Sequence, residues 1–263
     1  MEKIQAQCRA LFRLIVFCIL AVGFFAQTFF VHYTEKDPIK RRRFYVNVSS
    51  KYAYILMWMF NVKVLVKNQP PKDTGYLHVQ NHMGFFDVLI LASVTSNCFV
   101  TSQEMREYPF LGLICEMGGC LFVERRDRSK IFGELETLAQ AMRDGFRVTL
   151  YPEATSTNGE QVLPFKKTLL TSAATAGVAL QPVVFNWVEI EGEPFTLKNR
   201  DKVCWYGDMG FAPSMWSHLM LKSVVAEVEY LEPMHPTLTD DRTVISEGAH
   251  NRIAEKFRSC VQA

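Results

Sequence analysis

"HVQNHMGFFDVLILA", residues 78–92, decides how the chain is read. Joined to the residues before it, "GYLHVQ" (75–80) alternates apolar and polar side chains as a short strand does. The run from Phe86 to Val94 continues as a helix. A strand that passes directly into a helix is the opening unit of an alternating α/β fold. His82 and Asp87 stand at the junction. In a regular helix, residues five apart diverge by about 140°. The two side chains therefore meet only if His82 lies in the turn and Asp87 in the first helical turn, with Met83 and Gly84 supplying the turn. Asp87 then accepts from one ring nitrogen and leaves the other free to take a proton. Spacing alone suits a plainer reading better: a carboxylate at a helix N-terminus beside an ordinary turn histidine.

The same alternation continues downstream. "NCFVTS" (97–102), "GCLFVER" (119–125), "FRVTLY" (146–151) and "LQPVVFNWV" (180–188) read as strands. Between them lie helical stretches over 103–116, from Ser129 to Gly145, and over 165–176 with Gly177 as the stop. Beyond Phe195, "KVCWYG" (202–207) and "SVVAEVEYL" (223–231) read as strands flanking an amphipathic stretch near 215–221. The fold class is an α/β sandwich around a mostly parallel or mixed sheet.

In such sheets ligands gather beyond the C-terminal strand ends. His82, Arg125 and Glu153 all follow strands. Gly118 and Gly119 permit close backbone approach, and Arg125 is suited to bidentate contact with an anion. In "YPEATSTNG" (151–159), Thr155, Ser156 and Thr157 are small donors after Glu153. Lys166 and Lys167 open the next helical stretch, where side chain and helix N-terminus together suit a phosphate. Taken singly, each of these groups also reads as an ordinary loop or surface residue.

Ahead of this body, Leu14 to Val31 is 18 residues without a charge. As a helix it is roughly 27 Å long, about one hydrocarbon core. Arg9 and Arg13 precede it, and Lys36 and the run Lys40-Arg41-Arg42-Arg43 follow. A single span and a shallow helical hairpin that includes "YAYILMWMF" (52–60) both suit this pattern. Positive charge on both flanks favours the hairpin with both ends cytoplasmic. A cleaved leader suits it less, because the apolar run continues through Phe24, Phe25, Phe29 and Phe30. The division expected is an anchor over 1–65 and a soluble domain over 66–263. A net charge of +2 in 263 residues gives no support to a nucleic-acid reader. The seven cysteines show no metal-ligand spacing and read as reduced thiols. No G-x-S-x-G elbow of a serine hydrolase occurs.

"NHMGFFD", "GGCLFVER", "YPEATST" and "LQPVV", in that order, resemble the four blocks of the glycerolipid acyltransferases, most closely the 1-acyl-glycerol-3-phosphate acyltransferase branch. The resemblance implies a membrane-bound enzyme of that α/β fold, with its catalytic domain at the cytoplasmic face of the cell membrane. It implies His82 as general base and Asp87 as its orienting carboxylate. It further implies acyl-carrier protein or coenzyme A thioester as acyl donor and lysophosphatidate as acceptor. Another lysolipid or an acyl-amino-acid lipid is the alternative acceptor, and a lipid-binding protein of this fold without turnover is the remaining alternative. Neither a cofactor nor a metal is implied. Gly119, Arg125, Glu153, Ala154, Thr155, Lys166 and Lys167 become the substrate-binding candidates. The family's third block usually has phenylalanine, glycine and arginine where this chain has Tyr151, Ala154 and Ser156. The missing arginine removes one phosphate contact that the resemblance implies.

Overall fold

The computed structural model describes every residue except 71–74, 125–127 and 262–263. Two long helices come first, α1 (Glu2–Thr34) and α2 (Pro38–Phe60). Asp37 starts α2 by accepting from the amides of Ile39 (2.8 Å) and Lys40 (3.2 Å). Pro38 occupies the first helical position, where its missing N–H removes no helical bond. Then follow β1 (Val62–Lys67), β2 (Leu77–Gln80), α3 (Phe85–Val94), β3 (Cys98–Ser102), α4 (Gln103–Glu107) and α5 (Leu111–Met117). Next are β4 (Leu121–Val123), α6 (Ile131–Arg143), β5 (Val148–Leu150), α7 (Ser172–Ala176) and β6 (Leu180–Ile190). The chain ends with β7 (Glu193–Pro194), α8 (Phe211–Met220), β8 (Val224–Tyr230) and α9 (Arg242–Lys256).

The strands form one mixed sheet in the order β1-β8-β6-β2-β5-β3-β4, with β7 paired to β6. β8 runs antiparallel to β6, and the other neighbours along the path are parallel. β2 lies near the centre, between β6 and β5, in a register that sets Leu77 beside both Leu180 and Val148. Leu77 and Val79 enter a core with Leu138 of α6, Ala173 of α7 and Ile253 of α9. A second core joins Leu56 and Phe60 of α2 and Leu91 of α3 to Phe185 and Trp187 of β6. Layers on both faces bury β2 completely, so the alternating polar positions His78 and Gln80 are as hidden as their apolar neighbours.

Several expectations change in three dimensions. The helix read over 103–116 is two helices, because Tyr108-Pro109 interrupts it and Phe110 turns the chain at φ 68°. The helix read from Phe165 is a 3-10 turn (Thr168–Thr171) followed by α7. "KVCWYG" joins no strand; its Trp205 amide donates to Met83 O (2.9 Å) and so braces the turn that carries His82. A boundary at 65/66 falls inside β1, and α2 shares the β6 core. The helix α9, capped by Asp241 and burying Ile245, Ala249 and Ile253, is an element beyond those expected.

The helix α1 is docked along its length. Leu14, Phe17 and Leu20 pack on the core beneath, and Phe24 packs with Tyr45 and Val48 of α2. Arg13 is 5% exposed and donates to Leu219 O (3.1 Å) and Leu221 O (2.5 Å), while Arg9 donates to Met220 O. These cations close the carbonyl end of α8, where a positive charge also meets the helix dipole favourably. The opposite side of α1 presents Leu11, Ile15, Ile19, Val22 and Phe30 to the outside. This helix is long and apolar enough to cross a membrane, and its outward stripe suits association with one.

Arg13→Ala leaves buried carbonyls without their charged donor and uncovers the Phe60 ring, which the guanidinium overlies at 5.7 Å. The expected loss is about 2–3 kcal/mol of unfolding free energy, measurable by denaturant titration in detergent. An unchanged midpoint would show that α8 needs no such cap.

Candidate active site

The site begins where β2 ends. Asn81, one residue past the strand, is buried and clasps β6 twice: its Nδ2 donates to Phe185 O (3.0 Å), and its Oδ1 accepts from Phe185 N (2.8 Å). The side chain thus continues the sheet ladder for one more step and fixes the start of the next turn. That turn needs glycine. Gly84 lies at φ 148°, and a Cβ there would come within 2.9 Å of the Trp205 amide nitrogen.

Asp87 sits in the first turn of α3 and is 1% exposed. Its Oδ2 accepts from the amides of Met83 (2.6 Å) and Gly84 (3.1 Å). Both carboxylate oxygens face His82 Nδ1, at 3.1 and 3.2 Å. Two backbone donors and the positive end of a helix surround this carboxylate. In the tautomer whose Nδ1–H donates to Asp87, Nε2 presents a lone pair. His82 is 18% exposed at its side chain, and its Nε2 has no hydrogen-bond partner among the described residues. This geometry makes His82 chemically capable of accepting a proton from a bound hydroxyl.

The backbone of His82 is held from the other side by the segment after β5. Its amide donates to Glu153 Oε1 (2.7 Å). Its carbonyl accepts from the Thr157 amide (2.8 Å) and the Thr157 hydroxyl (3.0 Å). The second Glu153 oxygen accepts from Leu163 N (2.7 Å). Burial raises the Glu153 carboxyl to about 7, against the downward pull of its two amide donors and of His82; Asp87 adds to the rise. The Tyr151 ring lies 4.3 Å from the imidazole and stacks on Phe99 at 6.4 Å. Its buried hydroxyl has no hydrogen-bond partner among the described residues. Burial first, and then the charge of Asp87, push that phenol well above its ordinary pKa.

The sequence therefore located His82, Asp87 and Glu153 at one edge of the sheet. The structure gives Glu153 a different use from the expected one, since its two oxygens hold backbone amides of this chain. Ala154 is exposed in a left-handed turn at φ 60°, and among the described residues the Thr155 hydroxyl reaches only the neighbouring Ser156 O (3.4 Å). Lys166 is exposed, and its amide ties the chain back to Pro152 O (2.8 Å). Lys167 donates to Thr243 Oγ1 (3.0 Å), beside the start of α9. Gly119 lies before β4, at the strand end opposite to the one that bears His82 and Glu153. Its bare Cα allows α2 to approach; a Cβ there would meet Val46 Cγ1 at 2.9 Å. Arg125 lies outside the described residues. Asn81, Tyr151 and Thr157 were not singled out for these roles. Only Asn81, beside the histidine, carries a local signal.

Phe86 is buried against Phe60 (5.0 Å) and His218 (4.5 Å), and Phe85 meets Phe211 and His218, both at 5.0 Å. These rings anchor the helix that carries Asp87.

Known proteins resemble this chain in sequence and in fold. Residues 61–186 match the acyltransferase family model. The lyso-ornithine lipid O-acyltransferase of Brucella abortus is 27% identical over 79% of this chain and 80% of that protein. The 1-acyl-sn-glycerol-3-phosphate acyltransferase of Neisseria gonorrhoeae is 24% identical over 73% of this chain and 71% of that protein. The crystal structure of the 1-acyl-sn-glycerophosphate acyltransferase PlsC from Thermotoga maritima has the same fold, with a TM-score of 0.67, 18% identity and 97% of each chain covered. Over residues 61–186 the chain is similar to the acyltransferase family, and its fold is that of PlsC. It is an acyltransferase of lipid biosynthesis.

Two outcomes follow from the segment after β5. Ala154→Gly relieves a left-handed residue and is expected to raise stability by about 1 kcal/mol, read as a higher urea midpoint; a lower midpoint would mean the turn relaxes another way. The second concerns the Glu153 carboxyl, which binds its proton more tightly in the folded protein than in the unfolded chain, where 4.5 applies. Its contribution to stability is complete below pH 4.5 and is lost as pH rises through about 7. The stability gap between wild type and Glu153→Gln should therefore narrow over that interval in urea titrations. A gap that widens with pH would reverse the sign of the Glu153 shift.

Proposed function

We propose that the protein transfers a fatty acyl group from an acyl-carrier-protein or coenzyme A thioester to the free hydroxyl of a lysolipid, with lysophosphatidate as the acceptor and phosphatidate as the product. The observation that carries this reading is the His82–Asp87 pair, in which an 18% exposed imidazole has its Nδ1 held by the carboxylate at 3.1 Å. His82 Nε2 takes the proton from the acceptor hydroxyl. The oxygen attacks the thioester carbonyl carbon, and the tetrahedral adduct collapses with cleavage of the carbon–sulfur bond. The imidazolium returns its proton to the departing thiolate. Asp87 holds the ring in one tautomer and offsets the positive charge that forms on it. Glu153 and Thr157 act through the His82 backbone as positioning residues. Arg125 and Lys166 are assigned to the acceptor's phosphate, a role that suits their charge.

A second acceptor, the lyso-ornithine lipid, is favoured by two observations. The Brucella abortus relative bears that activity in its name and matches over 80% of its length. Ser156 also stands where the family's third block usually has an arginine, which removes one contact that a phosphate would use.

The protein is proposed to lie on the cytoplasmic face of the membrane as a monotopic enzyme. The buried Arg13 and the docking of α1 against α2 and α8 support an in-plane helix over a free span.

The test is purified protein with labelled acyl donor, offered lysophosphatidate and lyso-ornithine lipid separately, with products resolved by mass. Phosphatidate as the main product supports the first acceptor, and acylated ornithine lipid alone replaces it with the second. His82→Ala is expected to lower turnover by about 10²–10⁴ without loss of fold. Near-normal turnover in that variant would remove His82 as the base.

A further inference from the structure

A cavity of about 170 Å³ lies between the end of α1, the start of α2 and the edge strand β4. It brings together Arg41 and Arg42 of α2, Arg106 of α4 and His32 of α1, with Glu116 as the one carboxylate among the lining residues. The three guanidiniums form no ion pair or side-chain hydrogen bond among the described residues. Several other arginines are engaged: Arg143 with Glu136, Arg200 with Glu160, Arg258 with Glu227, and Arg13 with the carbonyls closing α8. Three cations that line one hollow with no carboxylate partner among the described residues repel one another, an arrangement that an incoming anion relieves.

The geometry of the hollow narrows the chemistry. Arg106 lies over the Phe122 ring, its Cζ 4.3 Å from the centroid, so its face is covered while its N–H edge stays available. Guanidinium forks match tetrahedral phosphate oxygens. The volume is small beside that of whole-ligand pockets, so it suits a head group and not an entire lipid. The surroundings point to a membrane. Tyr33, next to His32, is 80% exposed, and Phe30 is 69% exposed. On the other side Tyr108 and Phe110, close in sequence to Arg106, are 59% and 49% exposed. Exposed aromatic rings flanking cationic groups are the pattern of a lipid–water interface.

We infer that this cavity binds the phosphoryl head group of an anionic membrane lipid and so fixes where the α1–α2 turn sits on the bilayer. The inference stands on Arg41, Arg42 and Arg106 and does not depend on the acyl-transfer reading.

The experiment is vesicle co-sedimentation of the full chain, with vesicles of phosphatidylcholine alone and with added phosphatidylglycerol. Phosphatidylglycerol is neither acceptor nor product of the proposed reaction. Wild type should prefer the anionic vesicles. Replacing Arg41, Arg42 and Arg106 with glutamine should weaken that preference by about fivefold for each arginine removed. Arg106→Gln alone, at an exposed side chain whose one contact is a ring face, should show a single such step and guards against misfolding of the triple variant. His82→Ala should keep the full preference. Lys198→Gln, at an exposed lysine elsewhere, should leave it unchanged. An equal loss in Lys198→Gln would overturn the site in favour of bulk charge, and an unchanged triple variant would overturn it outright. A melting rise with inorganic phosphate that the triple variant lacks, combined with unaltered vesicle binding, would replace the lipid with free phosphate.

Discussion

One buried carboxylate organises the site. Asp87 is almost fully removed from water, yet it gathers two backbone amides and an imidazole within 3.2 Å. A bare carboxylate at that depth would carry a large desolvation cost. Its donors offset that cost only if the turn at Met83 and Gly84 is shaped to reach it. The charge therefore dictates the backbone around it, and the backbone dictates where His82 points. The aromatic packing of Phe85 and Phe86 keeps α3, and with it Asp87, from drifting.

Holding the imidazole from one side would leave the peptide that carries it free to rock. The segment after β5 removes that freedom. Glu153 and Thr157 grip the amide and the carbonyl of His82, and Leu163 grips the far oxygen of Glu153. This is possible because β2 and β5 are parallel neighbours, so the chain leaves both strands at the same edge. The departures from the family's third block fall within this grip. Tyr151 lays a ring against His82 and a buried hydroxyl near Asp87, and Ala154 adopts a conformation that glycine takes more easily.

The two N-terminal helices are part of the same solid body. α2 supplies Leu56, Met57 and Phe60 to the core shared with the sheet, and α1 reaches the carbonyl end of α8 through Arg9 and Arg13. An apolar helix fixed in this way has one side for the protein and one for its surroundings. Its arginines, read from the sequence as flanking charges, are cap donors in the fold.

The sequence alone determined the α/β class and the order of the family blocks, and it set the condition under which His82 and Asp87 could meet, because each depends on residues close together in the chain. Strand and helix periods, a five-residue spacing and a strand-end acid are local signals. What only the tertiary structure decided depends on which distant segments meet. Glu153 became a clamp on backbone, Gly119 a contact point for α2, and Lys167 a partner of Thr243. "KVCWYG" became a brace for the histidine turn, because its Trp205 amide found Met83 O before any strand edge. Sequence spacing holds no record of these meetings. They are fixed when buried backbone donors and acceptors must each find a partner within a packed interior.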